Sequence, residues 1–234
     1  HNPEFTALEF YEAYSDVYDM MEITELMIKE LARQVLSSSE IKINKSVINI
    51  DKEFKRVAMF DLIEEVLKID IRKMDKKSLF NLCKRNNIDA NLKMNYGQLL
   101  DKLFGDLVEP HLIEPTFVVD YPIEISPLAK KKRGKDSRIV ERFELFIGGM
   151  EFANSFTELN DPVEQRKRLK DQAKLKDMGD EEAQILDEDF IEAMEAGMPP
   201  TGGVGIGIDR LVMLLTEQNS IKDVILFPTL RSIK

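Results

Sequence analysis

The sequence predicts an α+β fold built on a mostly antiparallel sheet flanked by helices. Its strand-like runs are joined mainly by short turns, and its helical runs gather at the ends rather than alternating with strands. The glycine run Gly202-Gly203-Val204-Gly205-Ile206-Gly207 has the wrong spacing for a G-x-G-x-x-G fingerprint and lacks the G-K-[ST] ending of a P-loop. Any nucleotide bound here would be held by another device.

Composition narrows the class. The 43% hydrophobic content supports a sizeable core, and no run approaches the roughly 18 continuous apolar residues of a membrane span. The single cysteine, Cys83, excludes an internal disulfide, and two histidines, His1 and His111, exclude a Cys/His zinc cluster. A reducing, cytoplasmic setting follows. The formal charge of −10 argues against a surface that binds nucleic acid throughout. The densest basic run, Lys130-Lys131-Lys132-Arg133, reads as a solvated loop. The start at His1-Asn2-Pro3-Glu4-Phe5, with nothing leading into the first strand, reads as part of a longer chain.

The elements follow in order. Residues 5–11 form an aromatic strand, with Phe5, Ala7, Glu9 and Tyr11 on one face as a polar pocket would need. The other face, Thr6, Leu8 and Phe10, is core-like. Over 19–36, Met20, Ile23, Met27, Leu31 and Leu36, with Met21, Ile28 and Val35, recur at helical spacing and read as core packing. The Ser37-Ser38-Ser39 run ends that helix. Residues 41–50 alternate as a strand, and 57–67 read as a short amphipathic helix.

Residues 70–111 turn Lys- and Asn-rich, with helical patches at 78–86 and 96–108. They read as a small helical insertion in a domain made of 1–69 and 112–234. Residues 115–125 return to strand, and 127–140 form a charged loop. Strands at 141–147 and 150–158 flank Gly148-Gly149, a strong hairpin signal. After Asn160-Asp161-Pro162 a charged helix runs to about 178, and a second covers 181–196, ending at Gly197. A glycine-rich strand at 202–208, a helix at 209–216 and an apolar segment at 221–227 complete the chain.

Pairing across Gly148-Gly149 sets Ile147 opposite Met150, Phe146 opposite Glu151 and Glu144 opposite Ala153. Glu144 and Glu151 then share a sheet face as diagonal neighbours about 7–8 Å apart. Two such carboxylates can hold a hard cation with bound phosphates, Mg²⁺ above all. Spacing alone favours two solvated glutamates, a reading that Phe146 on the same face weakens. Strict alternation sends Asn154, Phe156 and Glu158 to the opposite face. One shared site therefore requires a β-bulge near Phe152-Ala153.

The segment 201–210 places four glycines on one short strand before a helix. They signal either close approach by a ligand or tight packing without one, and the pattern does not choose. Arg210 stands in the first helical turn, where the helix dipole disfavours a cation, so it is a candidate for anion contact.

Three blocks then resemble the class II lysyl-tRNA synthetases: H-N-P-E-F-T-A-L-E-F-Y-E-A-Y-S-D, E-R-F-E-L-F-I-G-G-M-E-F-A-N-S-F-T-E-L-N-D-P and G-M-P-P-T-G-G-V-G-I-G-I-D-R-L-V-M-L-L-T. They stand in family order and span nearly the whole chain. The resemblance implies the class II antiparallel sheet and ATP-dependent formation of lysyl-adenylate, with transfer to tRNA(Lys) in a homodimer that uses Mg²⁺. It implies ATP contacts at His1, Phe5, Glu9, Glu144, Glu151, Asn154 and Arg210. Lysine contacts are implied at Glu9, Tyr11, Asn154, Phe156, Glu158, Gly203, Gly205 and Gly207, with Glu158 receiving the ε-ammonium. Glu144 and Glu151 match the Mg²⁺-binding acids. Arg210 and Glu9 match residues acting on the reacting groups.

The family's anticodon-binding domain, first motif and first strand of the second motif fall before His1. The resemblance therefore implies that this chain alone is inactive or nearly so. Two rivals remain. One is the paralogue that lysylates elongation factor P, against which Gly203 and the A-Y-S-D run after Tyr11 speak. The other is a non-catalytic binding module derived from a synthetase. Aspartyl and asparaginyl enzymes fit less well, because Glu158 would repel an acidic side chain.

Overall fold

The computed structural model describes residues 2–36, 38–43, 46–134, 136–177 and 183–228. Strand β1 (Ala7–Ala13) leads into helix α1 (Val17–Leu36). The side chain of Asp16 accepts from the Tyr18 amide at 2.8 Å, and that of Asp19 accepts from the Asp16 amide at 2.8 Å. This reciprocal cap fixes where the helix starts. A hairpin follows, β2 (Glu40–Ile43) and β3 (Ser46–Asn49), then β4 (Lys55–Ala58) and α2 (Met59–Leu67).

Helices α3 (Lys76–Arg85) and α4 (Tyr96–Leu107) precede β5 (Thr116–Val119), β6 (Arg142–Ile147) and β7 (Met150–Thr157). Helices α5 (Pro162–Asp177) and α6 (Glu188–Glu195), strand β8 (Thr201–Gly207) and helix α7 (Ile208–Leu215) complete the order.

Six strands form one sheet in the order β1-β8-β7-β6-β5-β4, antiparallel except for the β4–β5 pair. Helix α1 covers one face: Val17, Met20, Met21 and Ile28 are buried with Phe143, Leu145, Phe152, Val204 and Ile206. The opposite face is divided. Over β5 and β6 it is closed by α2, α3 and α4, where Leu100, Leu103 and Phe104 bury Val118 and Phe146. Phe104 meets Phe146 edge-on at 5.4 Å between centroids. Over β1, β8 and the adjoining part of β7, that face lines cavities instead.

The β6–β7 register places Phe146 opposite Glu151 but Leu145 opposite Ala153. Phe152 is the extra residue of a bulge, at the position that a shared site requires. Phe152 and Ala153 both enter the α1 core, and the phase switch returns Asn154, Phe156 and Glu158 to the face of Glu151. The bulge also moves the partner of Glu144, which lies opposite Asn154 rather than Ala153.

Other expectations are corrected. Residues 41–50 are a two-strand hairpin, not one strand, because Ile41 pairs with Ile48 and Ile43 with Ser46. Residues 57 and 58 belong to β4, drawn into the sheet by parallel pairing with Val118 and Val119. Only 116–119 of the segment 115–125 is strand, since Asp120 takes a left-handed φ of 64° and a 3₁₀ turn follows at Ile123–Ile125. Helix α6 begins at Glu188, where Asp187 caps it by accepting from the Phe190 amide at 2.9 Å.

Val35 lies off the buried stripe of α1, at 58% exposure. Leu8 is likewise exposed because β1 is an edge strand, although Phe10 packs on the core as expected. Within 221–227, Leu226 and Phe227 are both 89% exposed, so this apolar segment is not core. Ser37, Met178 and residues 181–182 lie outside the described residues.

The basic run is a clasp rather than a solvated loop. Lys130 donates to Asn160, Lys131 pairs with Glu164, Lys132 with Asp120, and Arg133 with both Asp16 and buried Glu141. Glu141 also accepts from the Thr157 hydroxyl at 2.7 Å, and Thr157 accepts from the Val17 amide at 3.0 Å. The charges of the loop thereby tie the end of β7 to the start of α1.

Candidate functional site

Two cavities lie side by side on the sheet. The larger, about 640 Å³, includes Phe5, Glu151, Asn154, Gly207 and Arg210 in its lining. The smaller, about 170 Å³, is lined by Glu9, Tyr11, Asn154, Phe156, Glu158 and the Gly203–Gly205 stretch of β8. Asn154 and Gly205 line both, so they mark the junction. Of the glycines expected around lysine, Gly207 instead lines the larger cavity. His1 lies outside the described residues.

Strand β8 explains why the small cavity exists. Gly203 lies opposite Tyr11 on one side and Phe156 on the other, and Gly205 opposite Glu9 and Asn154. A Cβ on Gly203 would come within 2.2 Å of a Glu158 carboxylate oxygen and 2.6 Å of the Tyr11 ring. A Cβ on Gly205 would meet nothing nearer than Glu9 Cγ at 3.7 Å. Close approach at Gly203 thus involves the pocket side chains themselves.

The small cavity is acidic. Burial first, and the Glu9 charge second, push the Glu158 carboxyl up to about 7. Among the described residues no hydrogen bond or ion pair reaches that carboxylate. Tyr11 donates to Glu9 at 3.3 Å, and its phenol is raised by burial, then by Glu9 and Glu158. A carboxylate in this condition favours an incoming cation, whose charge would stabilise the ionised form.

The large cavity has a mixed charge. Arg210, in the first turn of α7, donates to the backbone carbonyl of Glu151 and lies 3.4 Å from its carboxylate. Burial raises the Glu151 carboxyl, the charge of Glu144 raises it further, and Arg210 opposes both. Glu144 is in the lining of neither cavity; it lies opposite Asn154 on β6, lines a separate cavity with Arg142, and accepts from Tyr121 at 2.8 Å and from Arg142. Buried Tyr121 has its phenol held well above the usual range, by burial first and Glu144 second, so it remains a donor.

Arg142 is not among the residues that the sequence motifs single out, although alternation along β6 places it on the face of Glu144 two positions on. It lies between the rings of Tyr121 and Phe156, 4.6 and 5.4 Å from their centroids.

The open sheet face thus combines a helix-start arginine beside Glu151 with a separate carboxylate pocket at Glu158. The chain matches the family model of class II tRNA synthetases (D, K and N) over residues 1–231. It belongs to that family. Among its relatives, the lysine–tRNA ligase of Staphylococcus epidermidis is 49% identical over 232 residues, covering 99% of this chain and 47% of that protein. The lysine–tRNA ligase of Thermoanaerobacter sp. (strain X514) is 49% identical over 233 residues, covering 99% and 46%. That of Azobacteroides pseudotrichonymphae is 47% identical over 231 residues, covering 99% and 46%. This synthetase-family chain spans about half the length of the curated relatives it matches. None of its described helices is long and apolar enough to cross a membrane.

Proposed function

We propose that this class II site activates L-lysine with ATP and passes it to tRNA(Lys). The observation that carries the reading is Glu158, a largely buried carboxylate raised to about 7 with no cation of the described chain beside it. An ε-ammonium with three donors suits Glu158 backed by Glu9 and the Tyr11 phenol. A neutral or acidic side chain of similar length would leave that carboxylate unpaired or repelled, which is costly inside a protein. Aspartate and asparagine are disfavoured on that ground.

The small cavity would orient lysine with its carboxylate at Asn154, facing the nucleotide cavity. A lysine carboxylate oxygen attacks the α-phosphorus, the bond to the β-phosphate oxygen breaks, and pyrophosphate leaves. The tRNA 3′-terminal hydroxyl then attacks the acyl carbon, AMP departs, and the hydroxyl proton is released. No protein nucleophile takes part, and positioning with charge neutralisation supplies the catalysis. Arg210 would lie against the phosphates, and Phe5 against the base.

Glu144 and Glu151 would hold Mg²⁺. Two hard oxygen ligands, one of them raised by the charge of the other, suit a dication that completes its shell with phosphate and water. When bound, the ion neutralises phosphate charge and steadies the leaving pyrophosphate. The same reading carries a homodimer and a cytoplasmic setting.

The test is lysine-dependent ATP–pyrophosphate exchange, run on this chain and on a chimera in which it replaces the matched 47% of the S. epidermidis relative. Exchange by the chimera with L-lysine, and not with arginine or ornithine, is the expected outcome. Preference for β-lysine, or lysylation of elongation factor P in place of tRNA, would move the reading to the paralogue. No exchange by the chimera would leave a binding module. The chain alone is expected to exchange little or not at all.

A further inference from the structure

We infer that Arg142 is a positioning residue that fixes the Asn154 amide as a donor to the amino-acid carboxylate and couples it to the Glu144 acid. The inference rests on the lysine reading above and concerns how the junction of the two cavities is set.

The argument begins with hydrogen-bond inventory. An arginine side chain has five N–H donors and no acceptor. Arg142 Nε donates to Asn154 Oδ1 at 3.2 Å. Only the amide oxygen can face it, so the Asn154 NH₂ is turned away. Asn154 lines both cavities, and its cross-strand neighbour on β8 is Gly205, which puts no side chain in the way. The NH₂ is then a donor beside the junction, suited to a carboxylate that must sit between the ammonium pocket and the phosphates.

The guanidinium has little freedom to move. One terminal nitrogen, Nη1, donates to the Ile125 carbonyl at 2.8 Å and the Ser126 hydroxyl at 2.9 Å, and the other, Nη2, donates to Glu144. Its planar group lies against Tyr121 and Phe156, and its side chain is only 12% exposed. Glu144 is held in turn by Tyr121. One side chain thus bridges an acid of the nucleotide end and an amide at the substrate junction. A lysine there would offer a point charge without the planar fork, and could not hold both partners in this geometry.

The experiment compares two ligands of the full chain by calorimetric titration at pH 8: L-lysine, and 1,5-diaminopentane, which is lysine without its carboxylate. R142K, R142M and N154A are each expected to weaken L-lysine about tenfold or more, the loss of one charge-assisted hydrogen bond. Each should change 1,5-diaminopentane less than about twofold. The double variant R142K/N154A should bind L-lysine no more weakly than N154A, because both substitutions remove one interaction. R142K keeps the positive charge and carries the test should R142M not fold. Parallel weakening of both ligands, or additive losses in the double variant, would overturn the role of Arg142 while leaving the lysine reading intact. A wild-type chain and a wild-type chimera that both bind neither ligand would overturn the lysine reading, and this inference with it.

Discussion

The two ends of the site treat their carboxylates differently. At the nucleotide end each acid has a cation of its own chain beside it: Glu151 has Arg210, and Glu144 has Arg142. At the small-cavity end Glu158 has none among the described residues, and the charge that acts on it, Glu9, has the same sign. A paired acid has part of its burial cost offset and can share a further cation with phosphates. An unpaired one raises the energy of the protein until a ligand brings the countercharge. On the proposed reading, the difference assigns the cationic substrate to the Glu158 end and the anionic phosphates to the other.

Glu158→Gln should break this contrast most strongly. Loss of the carboxylate is expected to weaken L-lysine about 100-fold or more, as for a charge-assisted contact in a half-buried pocket. The same variant should be the more stable protein at alkaline pH. The Glu158 carboxyl is raised to about 7 from an ordinary value of 4.5, so the folded state binds the proton more tightly than the unfolded chain. That preference is fully present below pH 4.5 and is lost as pH rises through 7. Urea unfolding at pH 5 and pH 8 should show a gain for the variant of about 1–2 kcal/mol at pH 8 only, after discounting for partial exposure. At the other end, Arg210→Met should weaken ATP about 30-fold and leave L-lysine nearly unchanged. Equal losses of both ligands would dissolve the distinction between the ends.

Much of this architecture was legible in the sequence, because its signals are local. The Gly148-Gly149 turn fixes the β6–β7 hairpin, and both glycines take positive φ, at 61° and 74°. Phase counting along β7 requires a bulge if Glu151 and Asn154 are to share one site, and Phe152 supplies it. What escaped depended on distant partners. The β4 residues Val57 and Ala58 look helical alone, but their parallel neighbours are 61 positions further along the chain. Arg142 carries no local signal of its own, and its role depends on Tyr121 and Ser126, which only the fold brings against it. The basic run misled for the same reason, since its acceptors Asp16, Asp120, Glu141 and Glu164 are scattered along the chain.

The glycines of β8 sharpen the comparison within one strand. Gly203→Ala should weaken L-lysine about tenfold or more, because the new methyl group would displace Glu158 and the Tyr11 ring together. Gly205→Ala meets only ordinary contacts, and its added methyl would narrow the junction without moving Glu158. A smaller loss of L-lysine is expected there, and titration of both variants checks the order. Equal losses would mean that the junction is as tight as the ammonium pocket.

The smallest expected effect is the pH dependence of binding in the unaltered protein. With Glu158 near 7 before lysine arrives and lower once the ammonium is beside it, binding near neutrality must release a proton. Lysine affinity should be nearly flat above pH 8 and fall about tenfold between pH 8 and pH 6, as one carboxylate takes up its proton. Nucleotide affinity should not share this Glu158-dependent slope, because Glu158 is not in the lining of the larger cavity. Calorimetry in two buffers of different ionisation enthalpy would count the released proton directly. Its loss in Glu158→Gln assigns it to that carboxylate, whereas a slope that persists in the variant places the titrating group elsewhere.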